Sequence, residues 1–354
     1  MLRLVLASIL FLLPSFTFAQ NNDGMCFLAY PDSIQARLEI RDRMLLQTLG
    51  PSVNGFAPQS VMTDIKRWTP GQTITIAFMG GSYQLRKDIA DVASEWTNHA
   101  NLKFDFGHAP ASQTFREWSQ LDTSFKADIR IAFDNTGNWS LVGTDSRNPA
   151  VVLASEASMN CKRFDLILPS NWQATVLHEF GHALGFQHEH QQPTGGCDSE
   201  FRWYDDSGYV LTTDIHGQYI KDSNNRRPGI YTMLGGPPNN WPQWKVDHNL
   251  KQLPNSGAFT TSVFDPNSIM KYYFEDWMFT STTSHCYTQT PNSQLSTRDI
   301  EGVKAAYPFA PQNIAERLNQ RETFLRRIID ANRLGSKDRE IYSSNLENVL
   351  NAKK

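Results

Sequence analysis

The sequence predicts an α+β fold: a twisted mixed sheet forming an upper lobe, a central helix beneath it, a loop-rich lower lobe and a helical C-terminal tail. Three observations carry this. Short β-branched or alternating runs interleave with helically spaced ones through the first half of the chain. After Gln191 the periodicity fades, and stretches rich in Gly, Pro, Asn and Trp run to about Asp265. Residues 311–354 are then polar and helix-prone.

The elements follow in order. Ser33 to Leu49 carries Ile34, Leu38, Leu45 and Leu49 roughly on one helical side. The segment from Pro51 to Ser60 reads as a loop or linker, and a compact body begins at Trp68. Thr73 to Met79 is a strand, Tyr83 to His99 a helix, and Leu102 to Phe106 and Ala127 to Phe133 are two more strands. Ala150 to Ala154 and Asp165 to Leu168 read as short strands. Trp172 to Leu184 is a helix. Ser296 to Tyr307 is another, with Ser296 as N-cap and Asp299 three residues on, close to a capping box.

Composition narrows the function classes. In 354 residues, 33 Lys and Arg face 36 Asp and Glu, a formal net charge of −3. No basic field exists to attract nucleic acid. With 40% apolar and 19% charged residues the chain is a folded one. Its first residues pair Arg3 with an apolar run from Leu4 to Leu13, and Thr17 and Ala19 sit at small-residue positions before a cut. That is a signal peptide over 1–19, too short in its apolar part to span a bilayer. No later run of 18 apolar residues exists, so the mature chain is expected to have no transmembrane segment. The expected location is secreted and extracellular, or periplasmic in a bacterium. Export permits disulfides, and Cys26, Cys161, Cys197 and Cys286 allow three pairings that spacing does not separate. The domain reading is 1–19 signal peptide, 20–65 pro-segment, 66–307 catalytic domain and 308–354 helical extension.

The chemistry concentrates between His178 and His188, which match H-E-x-x-H-x-x-G-x-x-H. His178 and His182 lie four apart, so both imidazoles leave one helix face and can grip a single ion. Glu179 sits about 100° round the helix, beside the metal but outside its ligand shell. Gly185 can turn the chain sharply where the helix must stop, returning His188 as a third ligand. Three neutral imidazoles leave one Zn²⁺ with an open position. Five fixed positions of scarce residue types make a chance match on the order of one in 10⁵. The rival reading is an amphipathic core helix that happens to carry surface histidines. The expected reaction is hydrolysis of a peptide or protein substrate, with Glu179 moving the proton. His190 reads as a structural histidine, and Arg226-Arg227 as solvated surface. Asn138-Trp-Ser140 is a glycosylation sequon.

This motif, with Met270 downstream in Ser268-Ile-Met270-Lys-Tyr272, resembles the metzincins, and within them the astacin family, where Glu follows the third His as Glu189 does here. Trp68, Trp139-Ser-Leu-Val-Gly143, the segment from Leu295 to Ile300, and Tyr307 extend the likeness over roughly Ile65 to Tyr307. The resemblance implies a metzincin-like zincin fold and a zinc endopeptidase. It implies Met270 as an apolar floor beneath the zinc, and Tyr272 as a resting ligand that swings to the oxyanion. It implies that Glu189 contacts the mature N-terminus. An extended substrate would pair with an edge strand, placed here at Val151, Val152 and Leu153. Three departures stand out. Asn138 occupies the family's usual cysteine position, so its disulfide pattern does not carry over. The family's Phe-x-Gly-Asp zinc cap is absent from residues 20–66, leaving Asp64 or Cys26 as candidates for an inhibitory pro-segment's cap. The 308–354 tail lies outside the minimal catalytic domain. The competing readings are a catalytically silent, zinc-stabilised binding module and a metzincin of another branch. The intact Glu179 speaks against the first, and Tyr272 against the second.

Overall fold

The computed structural model describes residues 30–49, 62–237, 239–253, 259–260, 263–281, 283–331 and 334–354. Residues 1–19, expected as a signal peptide, and Cys26 lie outside the described residues. The strands are β1 (Met62–Thr63), β2 (Thr73–Phe78), β3 (Lys103–Asp105), β4 (Ile129–Ala132), β5 (Trp139–Ser140), β6 (Met159–Asn160) and β7 (Phe259–Thr260). The helices are α1 (Asp32–Leu49), α2 (Tyr83–Thr97), α3 (Trp172–Ala183), α4 (Cys197–Glu200), α5 (Ile230–Gly235), α6 (Gln243–Leu250), α7 (Thr297–Ala306), α8 (Pro311–Asp330) and α9 (Ser336–Ala352).

Five strands form one mixed sheet in the order β3-β2-β4-β6-β5, with β5 alone antiparallel to its neighbour. Alternation along the strands serves two cores. Ile74, Ile76, Phe78 and Ile131 face the main core, shared with α2, α3 and α7. Ala77 and Ala132 face the other side, where α1 lays Ile34 and Leu38 against Trp139, Val151 and Val152. A third core, with Phe201, Ile230, Val246, Phe274 and Phe279, organises the lower lobe. A fourth joins the tail hairpin α8–α9 to Leu45 and Ile65.

Helix ends follow their caps. Ser82 accepts from the Leu85 amide to start α2. At α7, Ser296 and Asp299 form the reciprocal capping box that the spacing predicts. Two strand expectations are corrected. Residues 150–154 form a turn in which the Val151 and Val152 amides both bond the Asn148 carbonyl. Residues 165–168 likewise follow the turn set by the Arg163 carbonyl. The β-branched run at 151–152 reflects burial rather than sheet pairing. The antiparallel edge of the sheet is β5, and Val151, Val152 and Leu153, expected as the substrate edge strand, lie outside the sheet.

Of the bridges the four cysteines allow, Cys197–Cys286 forms and stitches α4 to the lower lobe, while Cys161 is buried in the main core. Among the described residues no helix is long and apolar enough to cross a membrane.

Candidate zinc centre

The helix that carries the motif is held from three sides. The Trp96 indole donates to the Leu177 carbonyl at 2.9 Å and the Trp68 indole to that of Ala183 at 2.7 Å. The Tyr307 hydroxyl donates to the Leu184 carbonyl at 2.6 Å. The last two satisfy carbonyls that the helix end leaves orphaned. The helix closes in a Schellman motif: the Gly185 amide bonds the His182 carbonyl and the Phe186 amide that of Gly181. Gly185 sits at φ +101°, a left-handed conformation that glycine adopts without steric cost. This turn sends the chain back and delivers His188.

The three imidazoles converge. His182 Nε2 lies 3.2 Å from His178 Nε2 and 3.1 Å from His188 Nε2. A tetrahedral ion with bonds of 2.0–2.1 Å separates its ligands by about 3.3 Å, so the spacing fits Zn²⁺. Each ring is oriented through its other nitrogen. His178 Nδ1 meets the Ile269 carbonyl, His182 Nδ1 the Phe186 carbonyl, and His188 Nδ1 the Gln191 side-chain oxygen, at 2.8, 2.8 and 3.1 Å. Acceptors at Nδ1 place the proton there and leave every Nε2 lone pair for a metal. Burial lowers all three pKa values, His178 to about 4, which keeps the rings neutral as ligation requires.

Glu179 is buried, and its Oε2 has no hydrogen-bond partner among the described residues. Burial raises its carboxyl well above the usual range. An orphaned carboxyl oxygen next to three converged imidazoles is a donor set awaiting an ion and its water. Among the described residues the other cluster of ligand-type atoms, Cys197, His285 and Cys286, has both sulfurs committed to the disulfide.

Met270 and Tyr272, downstream of the motif, pack against its helix and its third histidine. Met270 is fully buried, and a Cβ on Gly181 would lie 2.2 Å from its Sδ, so that glycine lets the methionine tuck under the helix between the two ligating turns. Tyr272 packs its ring against His188 at 4.0 Å between centroids and stacks on His190 at 4.7 Å. Glu189 is buried, with its Oε1 accepting from the Asp265 amide at 2.9 Å. His190 is a buried histidine bonded through Nε2 to the Asn249 carbonyl. Beside His178, a cavity of about 40 Å³ is lined by Ala174, Ile269, Lys271, Tyr272 and Asn292 among others.

Two supporting residues carried no site signal in the sequence. Asp299, read as a helix cap, also accepts from the Ser268 hydroxyl at 2.6 Å and the Ile269 amide at 2.8 Å, pinning the methionine turn. Burial pushes its carboxyl up to about 6. Gln191, three residues after His188, orients that ring; spacing alone offers only a polar residue one short turn on.

Comparison with known proteins agrees with this geometry. Residues 60–195 match the model of the astacin peptidase family. Myroilysin is similar over 71% of this chain and 100% of its own, at 26% identity and a TM-score of 0.50. High choriolytic enzyme 1, a hatching enzyme zinc-protease from Oryzias latipes (medaka fish), aligns over 72% of this chain and 98% of its own, at 15% identity and a TM-score of 0.38. No curated protein matches the chain. The matched family is the one the motif resembles, and its zinc chemistry fits the converged histidines: the chain is a zinc metalloendopeptidase similar to the astacin peptidases over residues 60–195.

Proposed function

We propose that the protein is a secreted endopeptidase in which Glu179 is the general base and then the general acid, with His178, His182 and His188 as the zinc ligands. The carrying observation is the buried Glu179 carboxyl, whose Oε2 has no hydrogen-bond partner among the described residues, on the same helix as two converged imidazoles. Zinc, when bound, supplies Lewis acidity that acidifies a water in its open position and polarises the scissile carbonyl. Glu179 takes the proton of the attacking water and returns it to the leaving amine nitrogen. A carboxyl raised by burial suits both halves of that exchange. The Tyr272 hydroxyl is assigned the oxyanion, a role supported by the packing of its ring on His188. Met270, under Gly181, keeps water from beneath the ligands, and Gly185 sets the return of His188.

Casein cleavage with and without a zinc chelator, alongside Glu179→Ala, tests the assignment. The variant is expected to lose about 10³- to 10⁴-fold in rate with its zinc content unchanged. Cleavage at the parent rate would remove Glu179 from the mechanism.

Secretion rests on the signal-like residues 1–19. Residues 20–65 are assigned as an inhibitory pro-segment, 66–307 as the catalytic domain and 308–354 as its helical extension. The seat of α1 supports the pro-segment. The Tyr30 hydroxyl, at the start of α1, donates to the Ser140 carbonyl on β5 at 2.9 Å. That hydroxyl is raised by burial and then by the charge of Glu179. Removal of the segment would create the new N-terminus assigned to Glu189. A second reading is favoured by the buried Arg41–Asp145 pair: α1 stays with the mature enzyme as part of its fold. N-terminal sequencing of the active secreted enzyme decides. A start near Trp68 is the expected result, and a start before Asp32 establishes retention.

A further inference from the structure

Two of the zinc histidines are oriented by backbone carbonyls, which no side-chain substitution removes; His188 is the exception. Its Nδ1 faces the Gln191 Oε1, and the amide of that side chain is not free to turn. Gln191 Nε2 donates to the His248 carbonyl at 2.8 Å and the Lys251 carbonyl at 3.0 Å. Two carbonyl acceptors fix which end of the amide is nitrogen, so the oxygen must face the histidine. His188 therefore carries its proton on Nδ1 and offers Nε2 to the metal.

The carbonyls in question belong to the last turn of α6 and its C-cap, groups that a helix end leaves without internal partners. His190 takes the carbonyl between them, that of Asn249, at 2.9 Å. The Leu253 amide in turn donates to the Gln191 carbonyl at 2.8 Å. The loop bearing the third ligand is thus docked on the C-terminal end of a lower-lobe helix, and one buried side chain links helix end and ligand.

We propose that Gln191 is the positioning residue of the zinc centre, holding His188 in the metal-ready tautomer and tying it to α6. The inference rests on the zinc role of the three histidines. Outer-shell partners of this kind are worth 10- to 100-fold in metal affinity. Full-length parent, Gln191→Leu, Gln191→Glu and Tyr231→Phe proteins would be titrated with zinc against a competing chelator, and their cobalt-loaded absorption spectra compared. Gln191→Leu removes the acceptor and is expected to bind zinc 10- to 100-fold more weakly, with an altered cobalt spectrum. Gln191→Glu keeps an acceptor for Nδ1–H but turns its second oxygen toward the His248 and Lys251 carbonyls, so a loss clearly smaller than that of Gln191→Leu is expected. Tyr231→Phe breaks the Tyr231–Asp247 bond at 2.6 Å on the same helix without touching the loop, and is expected to leave zinc affinity unchanged. Should the leucine variant not fold, Gln191→Asn, which withdraws the oxygen by one methylene, carries the same expectation. Parental affinity in Gln191→Leu or Gln191→Asn, or an equal loss in Gln191→Glu, overturns the proposal. Failure of the parent to bind zinc would overturn the metal reading instead.

Discussion

Lys271 is buried beside the first zinc histidine, and its ammonium is held by neutral oxygens: the Tyr272 carbonyl at 3.0 Å and the Thr288 hydroxyl at 3.4 Å. Burial pushes its pKa down to about 7. An unfolded lysine holds its proton to about pH 10, so above pH 7 the unfolded state binds more protons than the folded one and stability rises with pH. The zinc-loaded protein is expected to gain about 2 kcal/mol between pH 7 and pH 9 relative to Lys271→Met, which lacks the titrating group. Urea unfolding across that range provides the measurement, and parallel profiles for the two proteins would exclude the effect. Lysine at 271 was visible in the sequence between Met270 and Tyr272, but its isolation from carboxylates was not. The same divide separates the site residues. His178, Glu179, His182, Gly185 and His188 are legible because one helix and one turn fix their geometry locally. Gln191 and the second role of Asp299 are not, because their partners lie about 60 and 30 positions away in sequence.

At the scale of elements, local signals were readable where the backbone satisfies itself. Helix α2 has apolar residues at Leu85, Ile89, Ala93 and Trp96 on its buried face and a serine cap, and its ends fall within two residues of the periodicity. The capping box of α7 and the helices of the tail are similarly local. Strands β5 and β6 are only two residues long each, and their pairing depends on long-range register rather than on any run of residues. The apolar pair Val151–Val152 competes with them as a strand signal, yet it fills the second core from a turn. Periodicity reports which side chains are buried; it does not separate a buried turn from a buried strand when the run is this short. The lower lobe was legible only as an absence of periodicity. Its order comes from aromatic packing around Phe274 and Phe279 and from Cys197–Cys286, both assembled from distant segments.

At the scale of the whole molecule, one buried carboxylate joins the N-terminal helix to the catalytic body. Asp145 lies in the short helical turn after β5, and both its oxygens accept from Arg41 of α1 at 2.5 Å. Lys66, at the entry to the body, reaches the same carboxylate at 2.9 Å. Three residues along, Asn148 donates to Asp338 of α9 at 2.8 Å, so the tail docks on the same turn. Arg41, Lys66 and Asp145 are all nearly inaccessible, with side-chain exposures of 2%, 5% and 3%. Such a triad has little net advantage over a well-packed apolar one, since desolvation offsets its attraction. Breaking it is another matter. Asp145→Asn keeps the shape but removes the charge, leaving Arg41 and Lys66 with Asp42, at 2.7 and 3.2 Å, as their remaining carboxylate. The expected loss in urea unfolding is about 3 kcal/mol, the low end for a broken buried pair. Limited proteolysis mapped by mass spectrometry should then release fragments of α1 before any cut near His178, because the helix loses its anchor while α3 keeps Trp68, Trp96 and Tyr307. A variant within 1 kcal/mol of the parent, or one first cut in α3, would mean that Leu45 and the tail core retain the helix without the ion pair.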